Sequence, residues 1–337
     1  MFRHHLSGPM LTVRFQAADL AQVRFAISPL IETLLSIRVL DDPAGHALHL
    51  PWIAQARART QGISLDTLRA LQPEKLYGPD FVSPPPTRPL AEFEDELADM
   101  VATPGDQIRQ EIEDAYRGRD LPAVLEPFIA DPSSAAVDLA DTLRAYWGET
   151  LAAHWPRIRS VLEGDVLYRA RQIADGGAQR LFADVDPSVA WSDGVLRIDK
   201  PFEESVELGG RGLLFVPSVF VWPRVLAITD ERWQRTLIYP ARGVGLLWEP
   251  AAVSGPEAAA ALLGRVRAAV LASLDQPRST TDVARVVEVS PSGASQHLSV
   301  MRNAGLVSAQ RAGRVVLYFR TPVGDSLLGA ATSARPS

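Results

Sequence analysis

The sequence predicts an α+β chain in two parts: a large mixed domain whose helices precede a small antiparallel sheet, and a short C-terminal domain of helices and one hairpin. Three observations carry this. The chain has 337 residues, and at roughly 100–200 residues per domain two domains are the default. The hydrophobic period switches from helical to alternating after Gly176-Gly177, the mark of helices followed by strands. The charge is uneven: from Glu257 onward nine arginines face five acids, giving +4, so residues 1–256 carry −10 of the net −6. The expected limits are 10–253 and 254–330, with residues 1–9 and 331–337 disordered and Met10 a candidate start.

The elements follow in order. LTVRF (Leu11–Phe15) alternates as a strand, and Asp19 is placed to cap DLAQVRFAI as a helix. Ser28 then Pro29 opens SPLIETLLSIRVL, since Ser caps and Pro suits the first helical position. LPWIAQARART is helical, and FVSPPPTRP (Phe81–Pro89) is a stiff extended loop because successive prolines cannot join a helix. AEFEDELADM and QIRQEIEDAY are acidic amphipathic helices. SSAAVDLADTLRAYWGETLAAHW is the longest helical pattern, with Val137, Leu143, Trp147 and Leu151 near one face. IRSVLEGDVLYRARQIADGG ends on a glycine pair fit for a C-cap. AWSDGVLRI is a hairpin on a Ser-Asp-Gly turn, and SVELGG, LLFVPS, RVLAI and RTLIYP are short strands. SGPEAAA (Ser254–Ala260) is the linker.

Composition excludes several function classes. With no Cys, disulfides, thiolate catalysis and Cys-ligated metals are ruled out. The longest apolar stretch, LLFVPSVFVW, is broken by Pro217 and falls far short of the ~20 residues a membrane span needs. MFRHHLSGPM has no apolar signal core. A cytoplasmic protein without cofactors is expected.

The most informative stretch is SPSGASQHLSVMRNAGLVSAQRAGRVVLYFR, Ser290–Arg320, with four arginines and no acid in an acidic protein. Ser290 and Pro291 start a helix running to Ala304. At about 100° per residue, Ala294, His297, Leu298, Met301 and Ala304 share one half of the wheel, and Ser292, Ser295, Gln296, Ser299 and Asn303 the other. A merely solvated face usually carries Lys and Glu; short neutral donors and acceptors suit base edges in a DNA groove. Upstream, STTDVARVVEV carries a Ser279-x-x-Asp282 capping pattern with Val283, Val286 and Val287 apolar. Two short helices across a tight turn make a helix-turn-helix. LVSAQR and RVVLYFR flank Ala312-Gly313 as a hairpin, or wing, with Arg311 and Arg314 at its tip, suited to phosphates or the minor groove.

From LLGRVRAAVL to VVLYFRTP the chain resembles the winged helix-turn-helix of ArsR/SmtB-type bacterial regulators, most specifically in SQHLSVMRNAGLVSAQRAGRVVLYF. The likeness covers about Pro256–Leu328. Residues 10–250 resemble the uncharacterised domain fused to such winged helices in high-GC bacteria, through FQAADLAQVRFAISPLIETLLSIRVL, PSVFVWP and YPARG. The resemblance implies a homodimeric repressor on double-stranded DNA with an inverted-repeat operator. By position, Ser292, Ser295, Gln296 and Ser299 match the family's base contacts, and Arg311 and Arg314 its wing. The chain departs from the metal-sensing members: TTDVARVV has no Cys and PVGDSLLGA no His. A signal would have to enter through the N-terminal domain.

Other features have plain readings. His297 is expected to pack in the core, His46-x-x-His49 lacks metal-ligand company, and Gly209-Gly210-Arg211-Gly212 follows no phosphate-loop spacing and is a turn. The aromatic residues, Tyr146, Trp147, Trp155, Trp222 and Tyr239 among them, are either core or the lining of an effector pocket. Leu263, Val266, Val270 and Leu274 on a helix over Ala258–Leu274 are core, dimer seam or both. The reading is a sequence-specific, non-metal-sensing transcriptional regulator with a small-molecule effector or protein partner, not an enzyme: no nucleophile elbow, HExxH or phosphate loop is present. An enzyme with a DNA-binding tail and a protein-interaction adaptor are the alternatives, separable by turnover of a metabolite and by co-purification of a partner.

Overall fold

The computed structural model of the chain describes residues 8–72, 78–248, 256–312 and 315–328. It divides into two compact units, Met1–Trp248 and Glu249–Ser337. Trp248 belongs to the first core: it stacks on Trp52 at 6.0 Å between ring centroids and donates to His49 Nδ1 at 2.9 Å; the expected limit at 253 falls outside the described residues.

In the first unit β1 (Met10–Arg14) leads to α1 (Ala17–Ala21), β2 (Arg24–Phe25), α2 (Pro29–Asp41), α3 (Leu50–Arg59) and α4 (Asp66–Ala70). Then come α5 (Phe93–Val101), α6 (Gly105–Ala115), α7 (Glu126–Ala130), α8 (Pro132–Thr150) and α9 (Trp155–Phe182). The strands follow: β3 (Val189–Ser192), β4 (Val195–Asp199), β5 (Glu204–Glu207), β6 (Leu214–Ser218), β7 (Leu226–Ile228) and β8 (Thr236–Pro240). The second unit contains α10 (Pro256–Leu263), α11 (Arg265–Ser273), β9 (Arg278–Ser279), α12 (Thr280–Val287), α13 (Pro291–Asn303), β10 (Val307–Ala312), β11 (Val315–Arg320) and α14 (Pro322–Leu327).

The chain is α+β, as its patterning predicts, but the sheet of the first unit is neither single nor antiparallel. Two four-stranded sheets form, in orders β3-β4-β1-β5 and β2-β6-β8-β7. The first takes β1 into its middle, antiparallel to β4 and parallel to β5. The second is parallel through β2, β6 and β8, with β7 antiparallel at its edge. The chain is already ordered at Pro9, whose carbonyl accepts from Lys200 N at 3.3 Å. β6 is buried along its whole length, as a parallel strand covered on both faces should be. Its side chains alternate between two cores: Leu214 and Val216 join the helices, while Phe215 joins the cluster of Leu11, Val13, Leu196 and Phe182. The β3–β4 hairpin closes on Asp193-Gly194 at φ 52 and 76, the positive pair a two-residue turn needs.

Several local expectations shift. Asp19 is not a helix cap but the third residue of α1, buried, accepting from Gln16 N at 2.8 Å and Gly212 N at 3.1 Å. The following VRFAI is extended, because Phe25 pairs with Phe215 of β6. On α8 the buried face is Ala136, Leu139, Ala140, Leu143 and Tyr146, and Val137 is 46% exposed; alanines, which carry little hydrophobic signal, mark the core side. The glycine pair interrupts α9, but the chain resumes helix through Phe182. Gly212 has φ +69 and would place a Cβ 2.3 Å from Gln22 O, so the GGRG stretch is a turn that brings two backbones together. The expected linker residues 256–260 are helical, and the helix expected over 258–274 breaks at Gly264, φ +83. Val270 and Leu274 are buried, Leu263 is half-buried and Val266 is exposed. The expected disordered ends fall largely outside the described residues.

Candidate nucleic-acid interface

Ser279 caps α12: its Oγ accepts from Asp282 N at 3.2 Å and donates to Asp282 Oδ2 at 2.6 Å. These bonds from Ser279 hold the Asp282 carboxyl below its ordinary pKa. α12 stops at Glu288, which takes the left-handed conformation at φ 57, ψ 44. Val289 follows, and Ser290 caps α13 by accepting from Gly293 N at 3.1 Å, with Pro291 first in the helix. Two helices thus meet across three residues. Val283 and Ala284 of α12 and Ala294, Leu298 and Met301 of α13 are buried in one core with Val270 and Leu271.

That packing fixes which face of α13 meets solvent. Ser292, Ser295, Gln296, Ser299 and Asn303 are all exposed. Three residues outside the predicted set join them: Pro291, Val300, 44% exposed, and Arg302. Sorting by polarity passed over Val300, although it is one turn from Gln296. Ala304, expected inside, is exposed at the C-cap. His297 is half-buried, and its Nδ1 is buried without a partner among the described residues. The exposed face of α13 carries no acid.

Beside it, β10 and β11 pair from Val307↔Arg320 to Ala312↔Val315, and β9 adds a third strand through Leu317↔Ser279. Arg311 is exposed on β10; Arg314 lies outside the described residues. Arg320, mostly buried, is tied to Asp325 at 2.7 Å, while exposed Arg285 pairs with Asp282 at 2.7 Å on the surface.

Of the five aromatics read as core or as the lining of an effector pocket, four lie in or against the core. Tyr146 and Tyr239 are fully buried, hydrogen-bonded to Ser36 Oγ at 2.9 Å and Asp165 Oδ2 at 2.7 Å. Trp147 stacks on Phe93 at 4.5 Å and meets Trp155 edge-on at 5.4 Å, both against the helical core. Trp222 is exposed. None of the five lines the 780 Å³ cavity of the first unit. His49 lies against Phe220 at 4.8 Å, and burial pushes its pKa down to about 4, so it is neutral and its Nδ1 accepts from Trp248.

Residues 262–308 match a helix-turn-helix domain family, and residues 106–245 match a family of unknown function, DUF5937. No curated protein and no solved structure matches the chain. The C-terminal unit holds a helix-turn-helix domain. It comprises α11 to α13 and enters β10, and such a domain marks the chain as a DNA-binding regulator. No described helix is long and apolar enough to cross a membrane.

Proposed function

We propose that the chain is a dimeric, sequence-specific transcriptional repressor of ArsR-like type that acts in the cytoplasm on an inverted-repeat operator. The observation that supports this best is the exposed, acid-free face of α13, with Ser292, Ser295, Gln296, Ser299 and Asn303 in one stripe. Ser and Asn side chains can meet base edges, and Gln can bond adenine at N6 and N7 together. Arg311, and Arg314 by its position in the sequence, supply phosphate or minor-groove contacts that position the helix. Two copies would set half-sites about one helical turn apart. The N-terminal unit carries the regulatory input, a small molecule rather than a metal, since the chain has no Cys and the His46-x-x-His49 pair is engaged by Asp42 O and Trp248. Catalysis has no part in this reading.

Selection of bound sequences from a random DNA pool by the full chain tests it. The expected result is a palindromic consensus bound with two chains per site. Enrichment of no sequence, or of an asymmetric site bound by one chain, contradicts it.

A further inference from the structure

The first unit contains a cavity of about 780 Å³, within the 300–1,000 Å³ or so that ligand sites occupy. Its inner wall is apolar and built from four elements: Leu11 of β1, Ile31 and Leu34 of α2, Ile228 of β7 and Ile238 of β8. All five are buried. Three cations line the same space. Arg38 follows Leu34 by one turn of α2, Lys200 directly follows β4, and Arg224 precedes β7. A second cavity of about 290 Å³ shares Arg38, Gln72 and Arg224 with the first, so both guanidinium groups stand where the two spaces meet. Arg224 is exposed, which puts the charged side of the cavity toward water and the apolar side toward the core.

Two buried polar atoms of the lining have no partner among the described residues. Gln72 Oε1 accepts from Arg38 Nε at 3.2 Å, while Gln72 Nε2 is buried with no partner among the described residues. Asp80 lines the cavity, is buried, and has an unpartnered Oδ2. Burial, then Glu111 and Asp230, hold its carboxyl well above the ordinary range. Lys200 donates to Val225 O, and burial together with the charge of Arg224 pushes its pKa down. Asp199 is the other acid among the described lining residues. Among the described lining residues three cationic side chains, Arg38, Lys200 and Arg224, stand with two acids, Asp80 and Asp199, next to an aliphatic wall.

We propose that this cavity binds a small amphipathic carboxylate, its apolar body on Leu11, Ile31, Leu34 and Ile228 and its carboxylate at Arg38, Arg224 and Lys200. The consequence for DNA rests on the regulatory reading above; the binding itself does not. Charge-assisted bonds to the carboxylate make it discriminate strongly against neutral and cationic ligands of the same length, and the aliphatic wall sets a preference for unbranched bodies over short polar acids.

Calorimetric titration of the full chain with decanoate, 1-decanol and decylamine tests the site. Decanoate should bind one per chain, about tenfold or more tighter than decanol, with decylamine weakest. Arg224→Ala, at an exposed position, should keep its thermal transition, weaken decanoate about tenfold and leave decanol unchanged. Ala227→Trp, which fills the cavity from β7, should abolish both. Decanol binding as well as decanoate, no binding of either, or an unchanged decanoate affinity in Arg224→Ala overturns the site and leaves the DNA-binding reading standing. Decanoate binding that Arg224→Ala weakens, with operator affinity unmoved by decanoate, upholds the site and removes the regulatory link.

Discussion

The two units place their polar residues in opposite ways. In the first, charged and polar side chains enter the interior: Glu32, Asp80, Glu96, Asp165 and Arg169 are all buried. In the second, none of the described residues buries a polar side chain fully, although one ring atom, His297 Nδ1, is enclosed. The internal bonds of the first unit join distant segments. Glu96 of α5 accepts from Leu30 N at 2.8 Å, closing the start of α2, and Glu32 of α2 accepts from Val219 N at 2.9 Å beyond β6. Asp165 of α9 takes Tyr239 of β8 and Arg242 N. The second unit is closed by apolar contacts and local caps, which leaves its polar residues on the surface for a partner. A buried network fixes geometry across long sequence separations, and a small apolar core needs no such ties.

The comparison can be broken most forcefully at Arg169. Its guanidinium is buried between Asp165, at 3.8 Å, and Asp184. Removing one member leaves a buried charge uncompensated, which typically costs about 3–5 kcal/mol. Arg169→Ala should therefore destabilise the first unit by about that much in denaturant unfolding of the full chain. A loss under about 1 kcal/mol would mean that water already reaches Asp165.

Next in size is a pH effect confined to the first unit. Burial pushes Glu32 and Glu96 up to about 8 from 4.5. The folded state keeps protons that the unfolded chain has released, so their contribution is complete below pH 4.5 and is lost as pH rises toward about 8. Thermal stability should fall across that window by an amount on the order of a few kcal/mol per group. Glu32→Gln should flatten the fall; equal slopes for both proteins would remove Glu32 as its source.

Surface changes in the second unit should leave the fold alone and move DNA affinity instead. Gln296→Ala should lose about 1–3 kcal/mol on the selected site and relax preference at one base per half-site. Arg311→Ala should weaken selected and random DNA alike and lower the salt slope by about one unit. If Gln296→Ala weakens every sequence equally, α13 is not reading bases. The smallest effect sharpens the local side: Glu288 holds φ 57 without being glycine, so Glu288→Gly should stabilise the second unit by up to about 1 kcal/mol, measured by its melting temperature.

The same contrast governs what the sequence discloses. The second unit is legible because its signals are short-range: Ser279 with Asp282, Ser290 with Pro291, and the hairpin lie within a few residues of what they organise. The first unit discloses its longer helices and the Asp193-Gly194 hairpin for the same reason, but not the short α4 and α7. Its mixed sheets stay hidden, since a parallel pair such as Leu11↔Glu204 leaves no turn residues to mark it. The aromatic cluster leaves core and pocket both open in the sequence, because tryptophan and tyrosine fill cores as readily as they line pockets. The observed cavity takes its walls from aliphatics on four elements and its charges from Arg38, Lys200 and Arg224, and no single stretch of sequence contains that combination.

The central position of β1 also sets the order in which the protein can be made. Leu11 cannot pair until Glu204 and Ile198 have been synthesised; at about 5–20 residues per second that is a wait of roughly 10–40 s. Throughout it an apolar strand stands open on the growing chain, a substrate for a holding chaperone. Ribosome-stalled chains whose emerged portion ends before Leu196 should leave Leu11–Arg14 open to protease, and those emerged past Leu247 should protect it. Protection in the shorter chains would mean that β1 finds a temporary shelter among the helices. The helix-turn-helix faces no such delay, since its own segments leave the ribosome almost together.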